Sequence, residues 1–403
     1  PCVVSCMRIF WPSVILLAGS SCAQQWTRLQ DFPGTARDDA ASFTIGNVIY
    51  VGTGMEVGWG LTNDWYAFDT QAGTWSEIAA LPATPRQYCT GFAAADTGYL
   101  FGGIDANGAL NELWAYDPVQ DEWSQRASLP AEARYACVAA VGWNNVIVAT
   151  GMLSSGVPTK QAWKYYPAGD WWEAMSPVPG PSRHRAMAMQ DGGGVLVVGG
   201  ADSMFTALSD SWSYPVFFET GEWYAAPDLP APRYGAKSGP MYSTVLVGGA
   251  SDATSFHEEA WSNHDVIWEA VAPFEGGPRR GGVGAGIDEI QLWGSAFFFG
   301  LGLSDDLERK KDWWKLDFLN SVNEPLMDPF SIHPNPGNSL LNIAGLPMAS
   351  HRLRIVNAQG VAVRDHRIPG PSMVGTDDLA PGMYMITILQ ENGTVHQARW
   401  IKL

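Results

Sequence analysis

Short runs of apolar or alternating residues, separated by Gly, Pro, Asn or Asp, recur along most of the chain, and no long stretch holds the 3.6-residue period of an amphipathic helix outside the N-terminal leader. Such a pattern predicts many short strands joined by tight turns. The clearest runs end in a glycine pair: YLFGG at 99–103, VLVVGG at 195–200 and TVLVGG at 244–249, with VIVATG at 146–151 as a degenerate copy. Composition agrees, because only 16% of residues are charged while Gly (44), Pro (27) and Trp (19) are abundant. Long solvated helices and disorder are both disfavoured by that mixture.

The runs are in register with a repeat. Arg37, Arg86, Arg134, Arg183, Arg233 and Arg279 follow one another at intervals of 49, 48, 49, 50 and 46 residues. Eleven residues before each of them, or ten before Arg233, stands Trp26, Trp75, Trp123, Trp172, Trp223 or Trp268. A second series, Trp65, Trp114, Trp163, Trp212, Trp261 and Trp313, falls mid-unit and often leads into Tyr/Phe-Asp. Leu-Pro then precedes several of the arginines, as in LPATPR and LPAPR. A sheet with two apolar faces is not stable alone, so six units stacked radially are expected to bury both faces and shield their edges. The tryptophans would fill the wedges between units.

On these marks residues 24–320 resemble a six-bladed kelch β-propeller, an all-β fold. Trp26 and Phe32-Pro33 have the features of a unit's last strand, whereas the sixth unit stops after Trp313-Trp314-Lys315-Leu316-Asp317 without one. The N-terminal segment is therefore expected to supply the outer strand of blade six and remove the free edge. Cys89 and Cys137 occupy equivalent places three residues after Arg86 and Arg134. Two small buried thiols and a disulfide between neighbouring inner strands are both compatible with that placement.

Both ends carry targeting features. Residues 1–23 read as a leader in which Met7 is the start: Arg8, an apolar stretch from Ile9 to Ala18, and Ser21-Cys22-Ala23 compose a secretory signal peptide cut after Ala23. A lipidated Cys22 is the rival, although Gly19 stands where a lipobox prefers Leu. Residues 1–6, with Cys2 and Cys6, read as an extension of the reading frame. No segment reads as transmembrane. After a linker at 321–329, residues 330–403 contain strands separated by Pro-Asn-Pro, Gln-Gly and Pro-Gly turns, enough for a small β-sandwich. Pro334-Asn335-Pro336, Gly360, Leu379-Ala380-Pro381-Gly382-Met383-Tyr384 and Lys402 resemble the type A C-terminal sorting domain of the type IX secretion system, with a generic binding sandwich as the alternative. The resemblance implies the outer-membrane secretion machinery as a partner and the secreted or outer cell surface of a diderm bacterium as the destination.

Formal net charge is −17, which argues against nucleic acid or an anionic membrane as the main partner. The tail is nearly neutral, so the acidity belongs to the propeller. By the kelch resemblance, Arg37, Arg86, Arg134, Arg183, Arg233 and Arg279 would ring one mouth of the central channel, with Tyr135, His184 and Tyr234 beside them among the variable following residues Asp38, Gln87, Tyr135, His184, Tyr234 and Arg280. These are candidate residues for an anionic glycan or a protein ligand. Alternatively the arginines brace neighbouring blades. The interval from Arg279 to Trp313 is 34 residues against 28 or 29 elsewhere, and the excess is placed in Ala296–Asp312, as a lip over the channel or as packing against blade one.

No catalytic set, metal site or cofactor is indicated. The histidines lack zinc spacing, His257-Glu258-Glu259 has no second His in range, and Asp105-Ala106-Asn107-Gly108 reads as a hairpin turn more readily than as a calcium loop. The copper ligands of galactose oxidase, another kelch propeller, have no counterpart. Two functions from different classes remain. The chain reads first as a non-catalytic binding or adhesion module for glycan or protein. Its rival is a sugar-active enzyme similar to N-acetylneuraminate epimerase, a six-bladed kelch relative whose channel face is arginine-rich.

Overall fold

In a computed structural model of the chain the repeats build six four-stranded antiparallel sheets, all within residues 1–320, while residues 321–403 form a second compact unit. The structure describes residues 24–318 and 331–402, apart from positions 95, 143–144, 192–193, 216–220, 240–243, 265–266, 290–293, 334–338, 345, 347, 358–361 and 390–394. The leader, the linker, Pro334-Asn335-Pro336 and Gly360 lie outside the described residues.

Blade one shows how the sequence pattern becomes a sheet. Its strands are Ala41–Ile45, Val48–Gly52, Trp65–Asp69 and Thr74–Ile78, from the channel outward. The second strand is buried nearly end to end because it has blades on both faces, and it reads as the continuous apolar run of the repeat. The outer strand reaches solvent, and its exposed positions are polar. Inner strands of successive blades touch in a closed ring, blade six meeting blade one through Val283–Glu289 and Ala41–Ile45.

Blade six is completed from the N-terminus. Gln24–Arg28 pairs antiparallel with Trp313–Phe318, Gln24 opposite Phe318 and Arg28 opposite Trp314. Trp26 is 2% exposed and meets the rings of Phe274 and Phe297 edge-on, at 5.0 and 6.4 Å. Its indole N–H donates to the Ala272 carbonyl of blade five at 3.0 Å. The other five outer-strand tryptophans repeat the bond to the preceding blade: Trp75 to Gln30, Trp123 to Ala79, Trp172 to Ala127, Trp223 to Ser176 and Trp268 to Pro227. The first tryptophan series is thus a ring of inter-blade bonds.

The second series is not one structural position. Trp114, Trp163, Trp212 and Trp261 align with Tyr66 and Trp314, whereas Trp65 and Trp313 stand one residue earlier, where the other blades have Leu113, Ala162, Ser211 and Ala260. A one-residue offset in a strand moves a side chain to the opposite face. Trp65 and Trp313 are accordingly fully buried, each over a small partner, Gly52 or Gly300, where a Cβ would strike the indole. Phe101 fills the same place opposite Leu113. Volume is conserved by exchanging which strand carries the large residue.

The extra length of unit six also falls elsewhere than its sequence suggests. Phe297, Phe298 and Phe299 sit in the second strand, Gly294–Gly300, and are buried in the core, so they form no loop. Gly302 precedes Trp313 by as much as Gly54 precedes Trp65, and the surplus instead lengthens the first hairpin, Val283–Glu289 with Gly294–Gly300. Of the two expected roles for this segment, the lip over the mouth is absent and packing against blade one holds, with the Phe298 ring 5.8 Å from that of Phe68.

The C-terminal unit is a sandwich of a three-stranded sheet (Ser331–His333, Leu340–Ala344, Ser372–Gly375) and a four-stranded sheet (Ala362–Ile368, His351–Asn357, Gly382–Leu389, Val395–Lys402). Leu341, Ile343, Leu353, Ile355, Ile386, Ile388 and Trp400 fill its core. Two of its sequence marks have local work: the Tyr384 hydroxyl donates to the Ala380 carbonyl at 2.7 Å, and the Lys402 ammonium donates to the Thr376 carbonyl.

Closure by Trp26 is testable. Trp26→Ala is expected to cost about 3–5 kcal/mol in urea unfolding. The control Trp59→Ala, at a tryptophan 76% exposed, should change stability by roughly 0.5 kcal/mol or less. Equal effects at the two sites would mean that the N-terminal strand is dispensable.

Candidate functional site

Each repeat arginine belongs to two blades at once. Its backbone is held by the loop of the preceding blade: Arg86 N–H donates to Thr62 O, and Arg86 O accepts from Gly54 N–H. Equivalent pairs hold Arg134 to Leu110 and Gly103, Arg183 to Thr159 and Gly151, Arg233 to Leu208 and Gly200, Arg279 to His257 and Gly249, and Arg37 to Lys310 and Gly302. The guanidinium then reaches into the next blade, at the residue ahead of its third strand. Arg37 meets Asp64, Arg183 meets Asp210 and Arg279 meets Asp312 through two N–H groups each, at 2.6–3.2 Å. Arg86 pairs with Glu112 at 3.0 Å, Arg233 with Glu259 at 3.1 Å, and Arg134 with the neutral Gln161 at 2.7 Å.

All six arginines are 0–3% exposed. Arg37, Arg183 and Arg279 also donate to carbonyls in their own second-strand loops, Thr53, Gly199 and Leu301. Burial alone would raise the carboxyls of Asp64 and Asp210, but the arginine bonds outweigh it and hold both below the usual range. None of the six lines the axial channel. This is the geometry that bracing requires.

The channel mouth is made two residues further on. Asp39, Tyr88, Ala136, Arg185, Gly235 and Gly281 all have φ between +51° and +63°. In that conformation each donates its N–H to the carbonyl of its predecessor in the ring: Tyr88 to Asp39, Ala136 to Tyr88, Arg185 to Ala136, Gly235 to Arg185, Gly281 to Gly235 and Asp39 to Gly281, at 2.7–3.1 Å. Six bonds close a circle of backbone around the axis. The left-handed region is unfavourable by about 1–2 kcal/mol for a residue with a Cβ. Four blades nevertheless place a side chain there, while blades five and six use glycine.

Tyr88, Arg185 and their neighbours form a packed polar cluster. The Arg185 guanidinium lies 4.5 Å over the Tyr88 ring and 5.5 Å over Phe205, and its Nη1 donates to His184 Nδ1 at 2.7 Å. His184 is fully buried, and burial with the Arg185 charge lowers its pKa to about 4, so it is neutral at pH 7. Burial and the Asp39 charge push the Tyr88 phenol upward. Tyr135 is half-buried beside Tyr88, ring centres 5.8 Å apart, whereas Tyr234 is buried with its hydroxyl on the Asp252 carbonyl at 2.8 Å. Of the three expected flanking residues, then, Tyr135 is partly exposed, and His184 and Tyr234 are buried.

More positive charge collects on the same face. Arg309 bonds Asp38 at 2.6 Å and lies 4.9 Å over Trp59, and Arg280 lies 5.0 Å over Phe256. The buried Arg185 Nε and Arg280 Nε have no hydrogen-bond partner among the described residues. Asp38 is raised to about 6, by burial first and by Asp39 second, against the opposing pull of Arg309 and Arg280. The loops after the glycine positions add exposed apolar tips: Val57 and Trp59, Val157, Met204 and Phe205, and Leu307. The face sets arginines and aromatic rings beside acids of the same loops, among them Asp38, Asp39, Asp202, Asp252 and Asp306.

Remaining candidates resolve quietly. Cys89 and Cys137 are free thiols, both pushed up to about 12 by burial. Asp105 and Gly108 close a two-strand hairpin in which Asp105 accepts from the N–H groups of Asn107 and Gly108. No group of three His, Cys, Asp or Glu able to hold a metal occurs among the described residues.

Residues 21–200 match the profile of the KLHDC2/KLHL20/DRC7 kelch-repeats domain, and residues 331–402 match that of the secretion system C-terminal sorting domain. The chain is a kelch propeller carrying a secretion sorting domain. Its fold is similar to a solved structure titled "Structure of YjhT", with a TM-score of 0.61 and 16% identity over 71% of this chain and 95% of that one. No curated protein matches this kelch chain in sequence. The sorting domain marks it for export to the secreted or outer cell surface of a bacterium. No helix among the described residues is long and apolar enough to cross a membrane.

The brace geometry sets an expectation for the arginines. Arg183→Ala strands the Asp210 carboxylate and the Gly199 carbonyl and should cost about 3 kcal/mol in denaturant unfolding. Arg134→Met, whose partner is neutral, should cost less. Because the carboxyl of Asp210 is lowered in the folded state, the Arg183 contribution is fully present above about pH 4 and is lost as pH falls through the folded value. A penalty for Arg183→Ala that is unchanged at pH 2 would contradict the pairing.

Proposed function

We propose that this exported kelch propeller is a non-catalytic binding module that engages an anionic glycan on its channel mouth. The observation that carries the reading is the gathering of Arg185, Arg280 and Arg309 with Tyr88, Tyr135 and the exposed tips Trp59 and Phe205 on one face of a chain whose formal net charge is −17. The guanidinium charges of Arg185, Arg280 and Arg309 suit a carboxylate or sulfate. Aromatic faces suit the apolar faces of sugar rings. In this reading the six repeat arginines hold the frame and the residues that follow them meet the ligand.

Dextran sulfate against neutral dextran, both immobilised, tests the class of ligand. The chain should retain on the first alone. Arg185→Gln together with Arg280→Gln should weaken retention at least about a hundredfold, as loss of two charge-assisted bonds of about 1.5–3 kcal/mol each requires. Acidification has a definite sign. As pH falls from 7.5 through about 6, Asp38 takes up a proton, the mouth gains one positive charge and binding tightens, while His184 stays neutral until about 4. Equal retention on both polymers, or binding that weakens from pH 7.5 to 5.5, excludes the reading.

Export is tested apart from binding. Removal of residues 330–403 should leave the propeller in the periplasm, detected by fractionation and blotting. Undiminished surface delivery of the truncated chain would assign sorting to another segment.

A further inference from the structure

One buried amine is used by nothing above. Lys237 opens the inner strand of blade five, Lys237–Gly239, four residues after Arg233. The other five blades have Ala41, Thr90, Val138, Met187 and Val283 at that position. Lys237 lines the axial channel, a cavity of about 260 Å³, and is the one charged residue among its lining residues. Its Cβ packs against Gly284 of the next inner strand, where any larger residue would collide. The side chain keeps some solvent contact through the channel although protein surrounds it.

The ammonium has no hydrogen bond and no ion pair among the described residues. Three of the channel hydroxyls are engaged elsewhere, Ser42 on Gly284 O, Thr90 on Cys137 O and Ser238 on Ala188 O. The two channel thiols are neutral. A charge so placed loses hydration without gaining a counter-ion, which favours the neutral amine. Burial accordingly lowers the Lys237 pKa, with Asp39 opposing more weakly.

The mouth ring is least filled at blade five. A Cβ at Gly235, two residues before Lys237, would meet nothing nearer than 4.0 Å, whereas at Gly281 it would meet the Asp39 carboxylate at 2.5 Å. The gap at blade five is thus flanked in the ring by Arg185, and the Asp39 carboxylate lies across the adjoining glycine.

We infer that Lys237 is a carbonyl-reactive amine that captures small aldehydes or ketones entering the channel through the opening over Gly235. The nitrogen lone pair attacks the carbonyl carbon and the C=O π pair moves to oxygen. One proton passes from nitrogen to that oxygen, giving a carbinolamine. Loss of hydroxide with a second nitrogen proton leaves the imine and one water. No oxidant or reductant enters. The inference is independent of glycan binding at the outer face.

Glycolaldehyde with sodium cyanoborohydride at pH 7.5 tests it on the full chain, because the hydride fixes any imine as a stable secondary amine. Peptide mass spectrometry then reads each lysine. Lys237 should be modified faster than Lys160, Lys164 and Lys311, since a lowered pKa supplies more neutral amine at that pH. Asp39→Asn removes the charge that opposes this lowering and should quicken labelling at Lys237 while leaving the other lysines unchanged. Lys237 modified no faster than the other lysines, or not at all, overturns the inference whatever the dextran experiment returns.

Discussion

The distance between neighbouring blades is set by one residue type acting in two directions. An arginine backbone is clamped to the loop of the blade before it, and its guanidinium is bonded by the blade after it, to a carboxylate in every blade but the third. Planar, permanently charged donors suit this task because they satisfy a carboxylate and a carbonyl from one fixed fork. Removing the charge from water is costly, and the structure offsets that cost with bonds to groups that would otherwise be orphaned at the strand ends. Sheet packing, tryptophan bonds and the mouth all inherit their register from this clamp.

The mouth follows as a geometric consequence. With the arginine fixed, the chain must turn inward within two residues, and the left-handed conformation does so in every blade. Six such turns close a belt of backbone hydrogen bonds, so the aperture is rigid while the side chains on it are free to vary. Blades one to four supply Asp39, Tyr88, Ala136 and Arg185, and blades five and six supply hydrogen atoms. A sixfold frame therefore carries a site without sixfold symmetry. Recognition needs that asymmetry, and a repeat architecture supplies it without disturbing the fold.

Much of this was legible in the sequence, for reasons that can be stated. Blade number, the arginines, the outer tryptophans and the closing strand at Trp26 were readable because one geometric demand is repeated six times. Trp65 and Trp313 were misaligned with Trp114 because spacing alone does not reveal which face a strand residue takes, and the compensating Gly52 and Gly300 lie on another strand. The surplus of blade six was misplaced because an apolar Phe297-Phe298-Phe299 run can be counted but not located until the hairpin register is known. Asp39, Tyr88 and Arg185 escaped notice since nothing in a tyrosine or arginine announces a positive φ. Lys237 escaped because its meaning lies in what surrounds it, a channel otherwise lined by uncharged side chains.

The pairing of Gln24 with Phe318 carries a kinetic meaning. Five blades can form from neighbouring hairpins, with contacts close along the chain, but blade six waits for two segments at opposite ends of the propeller. Closing so long a loop is entropically slow, and until it happens both sides of the gap present unpaired strand edges. An open ring is an extended, adhesive object, and a closed one is compact and edgeless. For a protein that must leave the cell, the interval before closure is when the chain is most exposed to aggregation and proteolysis.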